Sequence, residues 1–291
     1  MWTLFQIELF KIFRRPRTYI AFAAITALIG MVQLGLKVDG KEYASFVMAD
    51  FNSSFALEGN LLNGYFICFI VLQLLLVHVP LLIALIAADM ISGEANTGTL
   101  RLLMTKPVSR VEFILAKYLA SMVYTILLLV WVALQALFLS MLIFGTDDMF
   151  IMKSSYAVLI KSGDVFWRYA GAFCFAALAM TTVAALGFLL SLFAENSIGP
   201  IVATMSVIIV STLLSTMNIP LFNLVKPYLF TTHMITWKEF FDLRVNELNE
   251  AIPGTLAYPE KIKTSAIILS GHILVFVGAA AFIFKRKDVL S

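Results

Sequence analysis

Apolar residues run through this chain in six long blocks: Tyr19 to Leu36, Phe66 to Ala87, Tyr118 to Phe144, Tyr169 to Ala194, Gly199 to Met217 and Thr264 to Phe284. Polar residues are gathered into the stretches between them. The blocks lack the alternation of a strand, and their lengths match the roughly 20 residues a helix needs to cross the hydrocarbon core. Helices are predicted for all six, because in lipid each backbone donor must find its acceptor within its own segment. Lys11, Arg14, Arg15 and Arg17 ahead of the first block would also suit a secretory leader. The nearby Ala21-Phe22-Ala23 opens the apolar run instead of closing it, so this block too is read as a span.

Two segments outside the spans carry helical periodicity. On a helical wheel of residues 2 to 15, Trp2, Phe5, Leu9, Ile12 and Phe13 share one sector and Glu8, Lys11, Arg14 and Arg15 the opposite one, which predicts an amphipathic helix lying along the inner leaflet. Leu4 and Ile7 fall in the charged sector and leave room for a protein contact. Pro16 then breaks that helix ahead of the first span. In the longest connection, residues 218 to 263, Thr236-Trp237-Lys238-Glu239 has capping-box spacing. Trp237, Phe240, Phe241, Val245, Leu248 and Ile252 follow at helical intervals up to Pro253-Gly254, predicting a half-buried outer helix.

Charge sets the expected orientation. Segments 1 to 18, 88 to 117, 195 to 198 and 285 to 291 hold 11 Lys/Arg in 59 residues, against 10 in the 99 residues of segments 37 to 65, 145 to 168 and 218 to 263. The denser set is expected in the cytoplasm, with both termini inside. Composition fits a membrane protein, with 61% hydrophobic and 13% charged residues and a mean hydropathy of +0.93. Disorder and a disulfide scaffold are excluded, and Cys68 and Cys174, each inside an apolar run, read as buried thiols. A net charge of +3 without a long basic run argues against a nucleic-acid partner.

Candidate chemistry inside the spans is sparse. Gln33, Gln73, His78, Gln135 and His272 read as cross-helix hydrogen-bonding groups more readily than as ligand-binding ones. The three histidines, 78, 233 and 272, lack any metal-ligand spacing. Gly35 to Glu42 nearly fits a phosphate-binding loop, but Glu42 replaces the hydroxyl that would hold magnesium, and the stretch follows an apolar span rather than a strand. Ala177, Thr181 and Ala185, four apart, suit close packing of the fourth span. The Ser and Thr residues of the fifth suit packing or a wet wall.

The most informative stretch is Ala88 to Lys117, ADMISGEANTGTLRLLMTKPVSRVEFILAK, polar and rich in small residues between two strongly apolar spans. Gly93, Gly98 and Pro107 mark turns, and Thr97-Gly98-Thr99 predicts a threonine-capped start for a short helix over Leu100 to Met104. The pattern of Asp89, Ser92-Gly93-Glu94, Gly98-Thr99-Leu100, Leu103, Pro107-Val108-Ser109-Arg110 and Lys117 resembles the signature of permease subunits of ABC-2 type exporters. The match is close over about thirty residues and architectural elsewhere. Residues 37 to 65 lack the long domain of the family's larger sodium-efflux members.

That resemblance implies an all-α polytopic membrane protein of one transmembrane domain over residues 1–291, with six transmembrane helices, an N-terminal amphipathic interfacial helix and a cytoplasmic coupling helix between the second and third spans. It implies a permease in the plasma membrane, not itself an enzyme, that pairs with a second permease subunit, identical or different, among membrane lipids. A separate cytoplasmic ABC ATPase subunit would bind ATP and Mg and drive export, with no cofactor in this chain. Glu94, Thr99, Arg101 and Arg110 would meet that ATPase, with Leu100 or Leu103 buried in its groove and Gly98 and Pro107 shaping the backbone. Asp89 and Lys117, at the two membrane edges of the loop, would either pair with each other or anchor it. The alternatives from other classes are a membrane-embedded enzyme or assembly factor with a protein-binding inner loop, and a stand-alone secondary transporter.

The orientation is checked by labelling intact cells with a membrane-impermeant thiol reagent. Cysteines placed at 96 and 287 should be spared and those at 56 and 249 modified; labelling at 96 would overturn the assignment.

Overall fold

The structure is a computed structural model that describes residues 1–48, 62–105, 108–152, 157–217, 219–246 and 251–287. Its core is a bundle of six helices long and apolar enough to cross a membrane: Pro16–Gly40, Gly64–Ala87, Arg110–Phe144, Ser162–Phe193, Ile198–Thr216 and Pro259–Arg286. Each coincides with a predicted block and mostly outruns it at its polar ends, because a helix continues wherever backbone bonding allows, whereas hydropathy marks only its lipid-facing part.

In chain order the elements are α1 (Trp2–Arg14), α2 (Pro16–Met48), α3 (Gly64–Ala87), α4 (Ser92–Asn96), α5 (Thr99–Met104) and α6 (Arg110–Ala133). A π-helical stretch, Leu134–Leu139, then leads into α7 (Ser140–Phe144). A hairpin of β1 (Met149–Met152) and β2 (Ala157–Ile160) precedes α8 (Ser162–Leu190), α9 (Ile198–Thr216), α10 (Phe230–Met234) and α11 (Pro259–Arg286). The near-P-loop string at 35 to 42 lies within α2.

α8 is the central helix, with most of its length buried against α3, α6 and α11. Its small residues allow this: Ala179, Ala184 and Ala185 are fully buried, and the hydroxyl of Tyr118 on α6 donates to the Thr181 carbonyl at 3.3 Å. α2 and α9 sit at the margin and keep wide apolar faces open, including Met31, Leu34, Val202 and Val210. α2 is held by side-chain amides. The buried Gln33 donates to the Gln135 carbonyl at 2.8 Å and to Ser140 at 2.9 Å, within and just after the π-helical stretch. Gln135 and Trp131 both donate to the Thr26 hydroxyl. These bonds agree with the cross-helix reading of Gln33 and Gln135.

The connections depart from expectation in three places. The hairpin was not anticipated, although its pairing of Met149 with Ile160 and Ile151 with Val158 turns those four side chains inward, as an amphipathic strand pair requires. The outer helix is shorter than predicted: α10 continues as a 3-10 turn over Ile235–Phe241 and gives way to extended backbone at Asp242. The capping box does not form. Thr236 bonds instead to Ser265 at 3.0 Å and Glu239 to Lys261 at 2.5 Å, while Trp237 and Phe241 bury their rings against Phe69. Leu248 lies outside the described residues. Cys68 is buried as expected, but Cys174 is exposed: at this height α8 turns Ala172 and Phe175 inward and Cys174 outward.

The outer segment is pinned by one arginine. Arg168, fully buried near the start of α8, pairs with Asp164 at 2.6 Å and donates to the carbonyls of Phe240 at 2.8 Å and Thr255 at 2.9 Å; the Gly254 amide donates to Asp164 at 3.0 Å. Arg168→Met removes a buried charge that serves three acceptors and should cost about 3–5 kcal/mol, freeing the chain around Phe240 and Thr255. Lys261→Met breaks only an exposed pair and should cost about 0–1 kcal/mol. Thermal melts with limited proteolysis of the two variants check the contrast.

Candidate functional site

The segment predicted to carry function, residues 88 to 110, folds as two short helices on a base of buried ion pairs. Asp89, 2% exposed just past the end of α3, accepts from Arg15 at 2.6 Å and from Arg17 at 2.7 Å, and the Ser197 hydroxyl ahead of α9 donates to its other oxygen. One carboxylate thus ties the loop entrance to both sides of the Pro16 break and to the fifth span. The chain can turn this tightly because residue 93 is glycine: a Cβ there would fall 2.5 Å from an Asp89 carboxylate oxygen.

Five residues beyond Asp89, Glu94 is buried at 3% exposure and accepts from Lys11 at 2.8 Å and Lys117 at 2.9 Å. The same two lysines reach Glu8 of α1, Lys11 at 2.7 Å and Lys117 at 2.6 Å. Two glutamates and two lysines from α1, α4 and α6 therefore form a balanced square, in which Lys117 is 1% exposed and also lies 5.0 Å from the Phe113 ring centre. Burial by itself would raise the Glu94 carboxyl, but the charges and hydrogen bonds of Lys117 and Lys11 prevail and hold it below the ordinary carboxylate range. Burial likewise opposes the charge on Lys11, and Glu8 and Glu94 overcome it, raising the ammonium above its ordinary value.

The loop exit is fastened to the last helix. Ser109 caps α6 by accepting from the Glu112 amide at 3.1 Å, and Arg110 donates to the carbonyls of Phe284, Lys285 and Lys287 at the end of α11. A helix end leaves carbonyls such as these short of backbone partners; that of Phe284 accepts from the Lys287 amide at 3.3 Å as well as from Arg110.

Above this base stands α5. Gly98, with φ of 70°, adopts the left-handed conformation that glycine takes at least cost and turns the chain from α4 into α5. The expected threonine caps of α5 do not form: Thr97 and Thr99 bond back to the carbonyls of Gly93 and Glu94 and close the end of α4. Arg101, Leu102 and Thr105 are exposed, and Leu102 presents 69% of its surface. Leu100, 4% exposed, and the half-buried Leu103 pack against the chain's own core.

Several expectations are corrected by this geometry. Glu94 is no rim residue, because two lysines draw it into the base, and Leu100 is spent inside the chain, so neither is available to a partner surface. Arg110 is committed to α11. Asp89 and Lys117 do not pair with each other; each anchors the loop to the N-terminal segment. Gly98 shapes the backbone as expected, Thr99 and Arg101 are exposed near the tip, and Pro107 lies outside the described residues. The amphipathic reading of α1 is also revised: Glu8 and Ile12 form its buried stripe, while Ile7 and Phe10 are open. Glu8 and Leu102 were missed. The charged-sector position of Leu4 and Ile7 was the available hint that α1 turns charge toward protein.

The architecture is that of a multi-pass helical membrane protein whose short inter-span loop is locked to its N-terminal helix by buried charge. The profile of the ABC-2 family transporter proteins matches residues 2–289, and the chain belongs to that family. It is also similar to an uncharacterised protein, YhcI, of Bacillus subtilis (strain 168), with 23% identity over 213 residues, or 71% of this chain and 63% of that relative. The chain is accordingly a multi-pass membrane protein of a transporter family, and the match extends through the loop, the base and the outer segment alike.

The ionic base sets a pH window. The stabilisation from Glu94, whose folded-state pKa is depressed, is present above the unfolded value of about 4.3 and is lost as pH falls through the folded value. That from Lys11, whose folded-state pKa is raised, is present below about 10.4 and is lost as pH rises through the folded value. Melting temperature should therefore be flat between about pH 5 and 10 and fall on both sides. Lys117→Met, which strands two buried glutamates on one lysine, should cost about 3–5 kcal/mol at pH 7. Melts of the detergent-solubilised protein across pH check both statements.

Proposed function

We propose that this chain is the permease subunit of an ATP-binding cassette exporter, coupled to a separate cytoplasmic ATPase that binds ATP and Mg, and that α5 is the piece which docks in that ATPase. The observation that carries the reading is a two-turn helix presenting an open leucine, Leu102, beside Arg101 and Thr105, on a base held by ion pairs at Asp89 and Glu94 and by Arg110. A docking tip transmits movement only when its root is stiff, and each of those three residues ties the root to a different helix. An open leucine among polar neighbours fits the centre of a protein contact.

In this reading both termini and α5 face the cytoplasm of a plasma-membrane protein that pairs with a second permease, identical or different. The exposure of the apolar side chains of α2 and α9, among them Met31, Leu34, Val202 and Val210, supports these faces as lipid or subunit contacts. ATP hydrolysis belongs to the partner subunit and not to this chain. Family membership supports the pairing with an ATPase; the direction of transport rests on the loop pattern.

Affinity purification of the tagged full chain should recover an ABC ATPase subunit. Leu102→Asp should lower that recovery at least about tenfold, as expected for a buried contact of a few kcal/mol, without moving the melting temperature. Glu94→Ala should lower the melting temperature first and recovery only as a consequence. If no ATPase is recovered with the intact chain, or Leu102→Asp recovers it as well as the natural sequence does, the docking role of α5 fails.

A further inference from the structure

Two adjoining chambers lie among the apolar helices; the second is open on its outer side, where Val77, Ile209 and Leu213 are exposed. One is walled by α3, α6 and α8 together with Met234 and Trp237; the other lies between α3, α9 and the outer segment at Thr231 and Ile235, and Leu76 and Met234 belong to both. Their volumes are about 50 and 190 Å³. A single water needs only about 10–15 Å³ on this measure, so the second chamber holds far more than one, yet its walls give water almost nothing to bond. None of the described lining residues is charged.

The polar side chains on these walls are Thr212, which is half-buried, and Thr231. Thr231 is the one shut away from solvent. It is 3% exposed, and its Oγ1 has no hydrogen-bond partner among the described residues. Threonines of the long helices satisfy their hydroxyls on a preceding carbonyl, as Thr204 does on Pro200 at 2.7 Å and Thr125 on Ser121 at 2.9 Å; on α10 the neighbouring Thr232 is also unmet, but Thr231 is the one of the two that lines a chamber. A buried hydroxyl left unmet is costly, and one on the wall of an apolar chamber marks where a ligand's polar atom would sit.

We propose that the chambers bind a single-chain amphiphile with a small uncharged head, of the monoacylglycerol or long-chain alcohol kind. Its head hydrogen-bonds to Thr231 and its tail passes Leu76 and Met234 toward Trp237. Only the assignment of this ligand as cargo rests on the exporter reading; the binding itself does not. The absence of charged groups from the described walls argues against inorganic ions and ionised heads, and the small volume of the chamber beside Trp237, about 50 Å³, favours one chain over the two of a phospholipid.

The full chain in phosphatidylcholine nanodiscs is titrated with a monoacylglycerol brominated in mid-chain. Trp237 quenching is taken as the difference from the Trp237→Phe variant, because Trp2, Trp131 and Trp167 are exposed. Saturable quenching is expected. Thr231→Val should raise Kd about fivefold, the worth of one neutral hydrogen bond, while leaving melting temperature unchanged or higher, because it deletes an unmet hydroxyl. Leu76→Trp, at the junction, should abolish quenching. Absence of saturable quenching overturns the proposal, as does Thr231→Val binding like the natural sequence. Equal quenching by brominated phosphatidylcholine overturns it too, since the chambers would then hold ordinary bilayer lipid. A chain that binds the probe but never recovers an ATPase sinks the exporter reading alone; the reverse sinks only this one.

Discussion

Three buried charges, Glu8, Glu94 and Lys117, together with the partly exposed Lys11, impose the constraint around which the loop end of the molecule is arranged. Desolvating each ion is expensive and only close opposite charges repay it, so none of the three contributing helices can move without stranding the others. The square contributes little net stability compared with an apolar core of the same shape. What it supplies is position: α1, which shares no span with the loop, is fixed against α4 and α6. Asp89 repeats the device with Arg15 and Arg17, so both turns of the loop root answer to the N-terminal segment.

The same physics appears once more at the far end, where Arg168 and Asp164 hold the outer segment to α8. Between these two polar locks the bundle is apolar and packed through small residues, and its long hydrocarbon faces are left to α2 and α9. The division follows from the solvent. Groups near the ends of a span can keep their charge if a partner waits there, whereas mid-span polar groups such as Gln33 satisfy themselves with neutral hydrogen bonds to neighbouring helices.

The spans were legible because hydropathy over twenty residues is a long-range average that tertiary contacts rarely overturn. The loop was legible as a special segment for the opposite reason, its small and polar residues being out of place between two apolar runs. The wheel of residues 2 to 15 misled because it assigns every charge to water, and nothing local marks Glu8 as the partner of a lysine 109 positions away. Leu100 and Leu102 could not be told apart from spacing alone, since the φ of Gly98 decides which leucine faces inward. The helical intervals from Trp237 to Ile252 stopped counting at Phe241, where the cost of ending the helix is met by bonds to Arg168 from residues distant in sequence. The hairpin at Met149 to Ile160 was hidden by its brevity.

α11 holds two of these attachments at once. Its last carbonyls are gripped by Arg110, and near its start the buried Ser265 meets His233 and Thr236 of the outer segment, each at 3.0 Å. A helix of 28 residues is about 42 Å long and nearly incompressible along its axis. It therefore behaves as a connecting rod: an axial shift imposed at the Arg110 end arrives almost undiminished at Ser265, on the opposite side of the bilayer, beside the stretch that roofs both chambers.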